Sequence, residues 1–266
     1  MNVSEARRLD VGERERQIAV GDAARSPVPT PVCPLDPPPS LVLFDVDDTL
    51  CDYAGARAGR LRIAFATALT HAPGGSEIDL DRVIAESIAI HPHGSDHFGE
   101  LLARYGVADA AVAQTARSWY HGNRFLGLAL FADAAEMLRA IRAALPGRRI
   151  GLITNGPADV QRDKIALLDL IGYVDFALIS GEFGIAKPDP AIFREGLRLG
   201  RATAEETVFI GDSPEYDVVG ARAAGVHAIW MNRTGLPWSA ASPPPPEVRS
   251  FDDIRVLLGA PPTGHR

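Results

Sequence analysis

Two aspartates lie two positions apart at the end of an apolar segment. The segment Leu41–Phe44 is followed directly by Asp45 and, two residues on, by Asp47. If the chain turns there, both carboxylates can face one site, where one could act as a nucleophile and the other could transfer protons. Aspartate is also common in turns and at helix starts, so this motif alone leaves a structural role open.

Two later motifs provide groups that could bind an anion. Thr154, Asn155 and Gly156 offer a hydroxyl group and backbone amides ahead of a predicted helix, and helix N-termini favour phosphate. Lys187 stands just before a helix that begins with proline, and it would supply a fixed positive charge. Each feature also has a common structural explanation, as a helix cap or as an ordinary surface lysine.

A fourth motif contains two carboxylates that are five positions apart. Asp212 and Asp217 follow an apolar segment, and carboxylate oxygens are ligands that Mg²⁺ prefers, together with water and substrate phosphate. Ser213 either contacts the metal shell or caps the following helix. Helix capping explains each motif alone, but not the succession of all four. Together they offer a nucleophile, an acid and base, an anion site, a cation and a metal site, as phosphoryl transfer requires.

The elements that must position these motifs are short apolar segments that alternate with helical patterns. Strands are predicted at residues 41–44, 150–154, 176–180, 207–211 and 227–231, and helices at 132–145, 159–170, 190–199, 215–224 and 251–258. This alternation is typical of an α/β fold with a doubly wound parallel sheet. Ligands bind such sheets at the carboxyl ends of the strands, and all four motifs lie there.

A separate group of helices is predicted between the first two strands. Residues 52–130 contain no predicted strand, and four amphipathic helices are expected at 56–69, 80–90, 98–105 and 110–122. The predicted organisation is a disordered, proline-rich N-terminal tail (1–40), a core (41–54 and 128–259), an inserted helical cap domain (55–127) and a C-terminal tail (260–266).

Taken together, the motifs resemble the four signatures of haloacid dehalogenase-like (HAD) hydrolases. The residues that carry the resemblance are Asp45-Val-Asp-Asp-Thr49, Thr154, Lys187 and Gly211-Asp212 with Asp217, and the resemblance extends over residues 41–258. The helical insert is similar in position to the cap of the subgroup with a helical-bundle cap. Within that subgroup, the sequence looks most like small-molecule phosphatases of the N-acylneuraminate-9-phosphatase and nucleoside monophosphatase types.

The resemblance implies a Rossmann-like core and a Mg²⁺-dependent phosphatase. Its substrate would be a small phosphorylated metabolite, either a sugar phosphate or a nucleoside monophosphate. Asp45 would form an aspartyl-phosphate, and Asp47 would act as general acid and base. The implied phosphate ligands are Thr154, Asn155, Gly156 and Lys187; the implied metal ligands are Asp45, the Asp47 backbone carbonyl and Asp212, supported by Asp217 and Ser213.

Other activities stay open at this point. A phosphomutase or another phosphotransferase would carry the same four motifs. A 2-haloacid dehalogenase would share Asp45 but would need neither Asp47 nor a metal, so it fits less well. A phospho-accepting receiver domain has its phosphorylated aspartate on a later strand, and a non-catalytic binding protein could retain the fold.

Several other polar residues in the predicted cap have less defined roles. The stretch from His91 to His97 contains three histidines around Pro92 and Gly94. Its spacing predicts a solvated loop, with a substrate-selecting edge or a second metal site as alternatives. Four arginines are predicted to be solvated helix charges, although one could contact the substrate: Arg57, Arg60, Arg62 and Arg124.

The composition limits the classes of partner. The chain has 266 residues and a formal net charge of −7, which argues against a nucleic-acid partner. Its two cysteines do not form a disulfide framework in a chain of this length. No apolar segment reaches the length of a membrane span, and the N-terminus lacks the apolar core of a secretory signal. We therefore expect a cytoplasmic protein whose partner is its small phosphorylated substrate; a monomer and a homodimer both stay open.

Overall fold

The protein is described by a computed structural model that covers residues 37–90 and 97–260. In this part of the chain, six strands form a parallel sheet with the order β3-β2-β1-β4-β5-β6. The strands are β1 (Leu41–Phe44), β2 (Arg149–Thr154), β3 (Phe176–Ile179), β4 (Thr207–Gly211), β5 (His227–Met231) and β6 (Glu247–Val248). All pairings between neighbouring strands are parallel.

Strand β1 lies in the interior of the sheet because its residues are apolar on both faces. All four of its residues are buried. Leu41 pairs with Arg149 of β2 on one side and with Thr207 of β4 on the other. Because these strands run parallel, their carboxyl ends meet at one edge of the sheet. The sheet therefore places Asp45 between the end of β2 and the end of β4.

Helices cover both faces of the sheet. Within the described residues they are α1 (Tyr53–Leu69), α2 (Leu80–Ala89), α3 (His97–Arg104), α4 (Ala110–Gly122), α5 (Ala134–Ala144), α6 (Ala158–Leu167), α7 (Ser180–Phe183), α8 (Pro190–Gly200), α9 (Gly220–Ala223) and α10 (Phe251–Leu257). Val42 and Phe44 belong to the apolar cluster that includes α5 and α10, whereas Leu41 and Leu43 pack with α8 and α9. This three-layer arrangement confirms the predicted α/β fold class.

Helices α1–α4 have an apolar cluster of their own. The rings of Phe65 in α1 and Phe98 in α3 lie 5.3 Å apart, and Val83 of α2 and Ala116 of α4 are buried in the same cluster. All four predicted helices of the insert are present, although α1 begins at Tyr53, three residues earlier than predicted. The domain boundaries drawn around this group stay a prediction.

Aspartates mark the starts of three of these helices. Asp52, Asp79 and Asp109 accept hydrogen bonds from backbone amides in the first turns of α1, α2 and α4. Such caps satisfy donors that helix geometry leaves unpaired. The Asp52 cap explains why α1 begins directly after the loop that carries Asp45 and Asp47.

Several described elements differ from the sequence-based expectations, among them helix α7, which begins at Ser180 where a strand residue was predicted. Strand β6 was not predicted because two residues carry no periodic signal. The helix predicted at 215–224 is divided into a π-helical segment, Pro214–Val219, and the short helix α9. The predicted tails lie outside the described residues except for residues 37–40 and 260.

Two expectations for polar residues in the insert are also wrong. His97 is buried at the start of α3, where its Nε2 lies 2.8 Å from the Ser87 hydroxyl, so it is not part of a solvated loop. The rest of the histidine stretch, residues 91–96, lies outside the described residues. Arg60 is buried as well, whereas Arg62 is exposed and Arg124 is half-buried, and both of these pair with carboxylates.

None of the described helices has both the length and the apolar character of a membrane span.

Gly220 allows helix α9 to approach the loop that carries Lys187. A Cβ atom at Gly220 would lie 2.7 Å from the Phe193 ring and 2.9 Å from the backbone of Pro188. Atoms do not approach so closely without movement, so a larger residue would displace either the core ring or the loop.

We expect Gly220→Ala to lower the free energy of unfolding by about 1–3 kcal/mol, the usual cost of overpacking. Gly59 is a matched control, because it is exposed in α1 and an added Cβ would meet nothing within 4 Å. There, Gly→Ala should stabilise the protein by about 0.5–1 kcal/mol through helix propensity. Urea unfolding followed by circular dichroism measures both; equal effects for the two variants would contradict the packing argument.

Candidate active site

The loop after β1 brings Asp45 and Thr49 to the edge of the sheet. The Asp45 amide donates to the Ile210 carbonyl at 3.0 Å, which continues the β1–β4 pairing by one residue. The Leu50 amide then donates to the Val46 carbonyl at 2.9 Å and closes a tight turn. Thr49 Oγ1 consequently lies 3.5 Å from Asp45 Oδ2 and 3.3 Å from Asp212 Oδ1.

A buried lysine joins two of the site's carboxylates. Lys187 Nζ lies 2.5 Å from Asp45 Oδ1 and 2.6 Å from Asp217 Oδ1, and all three side chains are buried. Burial opposes the positive charge, but the carboxylates of Asp217 and Asp45 outweigh it and raise the pKa of Lys187. The lysine is therefore held as a cation between two specific oxygens.

The π-helical segment after β4 fixes the position of Asp217. The Oδ2 atom of Asp217 accepts a hydrogen bond from the Ser213 amide at 2.9 Å. Gly211 makes room for this carboxylate, because a Cβ atom there would lie only 2.4 Å from Asp217. The Ser213 hydroxyl accepts from the Tyr216 amide at 3.2 Å, which is the capping geometry that was one of its two predicted roles.

Three carboxylates crowd one small volume. Oxygen atoms of Asp45, Asp212 and Asp217 all lie within 4.8 Å of one another. Burial, together with repulsion from Asp45 and Asp217, raises the pKa of Asp212 to about 9. Burial also raises the pKa of Asp45 to about 7, despite the nearby Lys187. One ammonium group does not balance three carboxylates, so a further cation or bound protons must complete the site.

The donor set fits a hard divalent cation. It consists of carboxylate oxygens with the Thr49 hydroxyl nearby, and Mg²⁺ prefers such oxygen ligands. Asp45 and Asp212 were both predicted as metal ligands, and the structure brings them together. Asp217 lies in the same cluster but is already bound by Lys187 and the Ser213 amide. The Asp47 carboxylate lies outside the cluster; a metal contact was predicted only for its backbone carbonyl.

Asp47 is held by helix α6, which was not expected from the sequence. Both of its carboxylate oxygens lie 2.6 Å from Lys164 Nζ, and its Oδ2 accepts from Gln161 Nε2 at 3.2 Å. Lys164 is only 3% exposed, and its ammonium lies 4.5 Å from the centre of the Tyr53 ring. Gln161 and Lys164 are three positions apart on one side of a helix that begins near Thr154. That spacing was the signal from which a contact of these two side chains with the site could have been predicted.

The residues at the end of β2 and directly after it have more protein contacts than a simple phosphate site requires. The Thr154 hydroxyl accepts from Gln161 Nε2 at 3.0 Å. Asn155 forms two hydrogen bonds of 2.9 Å with the backbone of Lys187, one as donor and one as acceptor. The Gly156 amide donates to the Ser180 hydroxyl at 3.0 Å. Asn155 therefore anchors the Lys187 loop, a structural role that the sequence analysis missed.

The match with a family model agrees with this geometry. The model for haloacid dehalogenase-like hydrolases matches residues 39–225. The chain therefore belongs to the haloacid dehalogenase-like hydrolase family, as its four motifs indicated.

Several curated relatives are phosphatases. N-acylneuraminate-9-phosphatase from Homo sapiens is 30% identical over 232 residues, which are 82% of this chain and 92% of the relative. Glyceraldehyde 3-phosphate phosphatase from Methanopyrus kandleri is 33% identical over 205 residues, with 72% and 83% covered. Phosphoserine phosphatase from Thermus thermophilus is 35% identical over 161 residues, but the match spans only 60% of this chain and 62% of that relative.

Solved structures share the fold. The putative HAD-hydrolase YfnB from Bacillus subtilis has a TM-score of 0.66 at 24% identity, and 2-haloacid dehalogenase from Pseudomonas syringae has 0.54 at 28% identity. Each match covers 82% of this chain and 97% of the other. The predicted family and fold are confirmed. The prediction that the protein is a hydrolase of phosphoric monoesters is supported by its phosphatase relatives and is confirmed as well.

The crowded carboxylates predict how stability depends on pH. The folded-state pKa values of Asp45 and Asp212 lie above the ordinary value of 3.8. Between that value and about pH 9 these two carboxyl groups therefore bind more protons in the folded protein than in the unfolded chain, and their contribution to the free energy of unfolding falls as pH rises. In chelator, we expect the urea midpoint to decrease from about pH 5 to about pH 9.

Magnesium should reduce this decrease, because a bound cation replaces the protons between the carboxylates. Asp212→Asn should also reduce the decrease, since one of the two carboxyl groups with a raised pKa is then absent. A midpoint that rises over this pH range in chelator, or a decrease that saturating magnesium leaves unchanged, would contradict the electrostatic account.

Proposed function

We propose that this protein is a Mg²⁺-dependent phosphatase that hydrolyses a small phosphomonoester through an aspartyl-phosphate on Asp45. The observation that carries the proposal is the buried contact of Lys187 with Asp45 and Asp217, beside Asp212. A nucleophilic carboxylate, a fixed cation and a set of metal ligands meet there at adjoining strand ends. This combination serves phosphoryl transfer, in which positioning and charge stabilisation do most of the work.

In the first half-reaction, an Asp45 oxygen attacks phosphorus in line with the ester bond. The new bond joins Asp45 to phosphorus, and the bond from phosphorus to the ester oxygen breaks. Asp47 gives a proton to the leaving oxygen, which departs as an alcohol. Lys187 neutralises charge on the phosphoryl group, and the Thr154 hydroxyl binds another of its oxygens.

In the second half-reaction, Asp47 is a carboxylate and takes a proton from water. The resulting hydroxide attacks phosphorus, the bond to Asp45 breaks and inorganic phosphate is released. Lys164 and Gln161 hold Asp47 in one orientation for both proton transfers, and the proton that Asp47 takes from water is the one it gives to the leaving oxygen in the next turnover. Asn155 keeps the backbone of Lys187 in place, so that the lysine stays next to Asp45 during both half-reactions.

The metal in this proposal is Mg²⁺, held by Asp45, the Asp47 backbone carbonyl and Asp212. When bound, it would offset the repulsion between an anionic nucleophile and an anionic substrate. Asp217 and Ser213 support the site, since Asp217 orients Lys187 and the Ser213 amide fixes Asp217. The raised pKa values of Asp45 and Asp212 support a cation of high charge at this position.

The substrate class follows from the relatives. They are named as phosphatases of phosphoserine, glyceraldehyde 3-phosphate and N-acylneuraminate 9-phosphate, all of which are small phosphomonoesters. Within that class we propose a sugar phosphate or a nucleoside monophosphate as the substrate, in a cytoplasmic enzyme without nucleic-acid or membrane partners. A phosphomutase would use the same residues and would differ in its failure to release phosphate.

Asp45→Asn should abolish turnover, with kcat for p-nitrophenyl phosphate lowered at least about a thousandfold, because the amide is a poor nucleophile. Asp48→Asn is the matched control in the same loop, where the side chain accepts from the Ala54 amide at 2.7 Å and an asparagine can do the same. Phosphate release with magnesium and with chelator measures the effect. Activity that persists in Asp45→Asn, or in chelator, would contradict the mechanism.

Lys164→Met should impair reactions that need a general acid more than those that do not. We expect kcat/KM for an alkyl phosphate to fall about 10- to 100-fold, a part of the usual general-acid contribution. The kcat/KM for p-nitrophenyl phosphate should change little, because this constant reports only the steps up to departure of the leaving group, and nitrophenolate leaves without a proton. Arg162→Met is the control on the same helix, where Arg162 is exposed and pairs with Glu182. Equal losses of kcat/KM for both substrates would argue against a role of Lys164 in positioning Asp47 as the general acid.

A further inference from the structure

Arg60 is a buried cation with few partners. It lies on α1 and is 2% exposed. Its hydrogen bonding is limited to a long contact of 3.4 Å from Nη1 to the Leu126 carbonyl, and its Nε is buried without a partner. Among the described residues, no carboxylate forms an ion pair with it. A guanidinium group normally gains several hydrogen bonds or an anion when it leaves water.

Two aromatic rings pack near the guanidinium group of Arg60. Its carbon lies 5.5 Å from the centre of the Tyr53 ring and 5.6 Å from that of Tyr120. These distances allow favourable cation–π interactions, but they satisfy none of the N–H donors. The rings therefore hold the guanidinium in a defined place and leave its hydrogen-bonding capacity available.

The position of Arg60 connects it with the proposed active site. Tyr53 lies against both Arg60 and Lys164, and Lys164 contacts both oxygens of Asp47. The carbonyl that Arg60 contacts belongs to Leu126, four residues before Leu130, which pairs with Cys51 in the loop after β1. Arg60 therefore lies where the helical insert meets the loop that carries the proposed nucleophile and acid.

A second arginine of α1, one helical turn earlier, also has a buried N–H donor without a partner. Arg57 donates from Nη2 to the Ser87 carbonyl at 3.1 Å, and its Nε is also buried without a partner. Arg62, further along the same helix, differs because it is largely exposed and pairs with Asp81. Unsatisfied donors thus occur on the buried side of α1, and not at its exposed arginine.

We propose that Arg60 binds a second anionic group of the substrate, a carboxylate or a second phosphate. This inference rests on the proposed phosphatase function and narrows its substrate class to phosphomonoesters with an additional negative charge. The phosphoryl group lies at Asp45 and the second anion pairs with the guanidinium between Tyr53 and Tyr120. The anion supplies the partner that the buried cation lacks, and the surrounding rings exclude water from the pair.

The test compares substrates that differ in one anionic group. The pairs are 3-phosphoglycerate with glycerol 3-phosphate, for a carboxylate, and fructose 1,6-bisphosphate with fructose 6-phosphate, for a second phosphate. We expect the wild type to prefer the doubly anionic member of at least one pair by about tenfold or more in kcat/KM, as one charge-assisted hydrogen bond allows. The pair that shows the preference identifies which anion is bound.

Arg60→Met should remove this preference, mainly by raising KM for the doubly anionic substrate, while p-nitrophenyl phosphate turnover is retained. Arg60→Lys should retain part of the preference, because a lysine preserves the charge but not the forked geometry. Arg62→Met is the matched control and should leave the preference unchanged. Methionine fills a similar volume without a charge, so urea unfolding should show a folded Arg60→Met variant.

The outcomes separate this inference from the function on which it rests. If the wild type hydrolyses p-nitrophenyl phosphate with magnesium but shows no preference in either pair, Arg60 is not an anion site. The same conclusion follows if Arg60→Met and Arg60→Lys retain the wild-type preference. If no substrate is hydrolysed at all, the proposed phosphatase function has failed instead. Binding of the preferred substrate to Asp45→Asn, weakened by the further change Arg60→Met, would support the site without turnover.

Discussion

The contact of Lys187 with Asp45 and Asp217 is the interaction on which the site depends. Three carboxylates lie within a few ångströms, those of Asp45 and Asp217 buried and that of Asp212 partly buried, and such a cluster is costly unless cations balance it. Lys187 provides one charge, and the sheet fixes the carboxylates at the ends of β1 and β4. The remaining negative charge makes a divalent cation favourable. Stability and function therefore depend on the same ionic interactions.

Much of the rest of the fold keeps this lysine in place. Asn155 binds the backbone of Lys187 through two hydrogen bonds, and Gly220 lets α9 pack directly against the adjoining loop. Helix α6 adds a second lysine, Lys164, which holds Asp47. The two lysines thus serve different carboxylates of the first motif. Their separate partners fit the different tasks of nucleophile and acid, because each aspartate is held in its own environment.

The sequence predicted the sheet and the residues at its edge because both have strong local signals. Continuous apolar runs such as Leu41–Phe44 have few alternatives to a buried parallel strand, and parallel pairing brings Asp45 and Asp212 together. The contacts of Lys164 and Asn155 were not predicted, since they join segments distant in sequence. The burial of Arg60 was missed for the same reason: a helical arginine is usually solvated, and only the packing of α1 against α4, which places Arg60 near Tyr53 and Tyr120, decides otherwise.

The most direct test of the account is to identify the phosphorylated residue during turnover. The enzyme would be mixed with magnesium and p-nitrophenyl phosphate, quenched in acid within the first turnovers and digested for mass spectrometry. We expect one phosphate on the peptide that contains Asp45, present only with magnesium and absent in Asp45→Asn. A phosphate on Asp47 or on another residue would contradict it. So would phosphate release from the wild type without any covalent intermediate on Asp45.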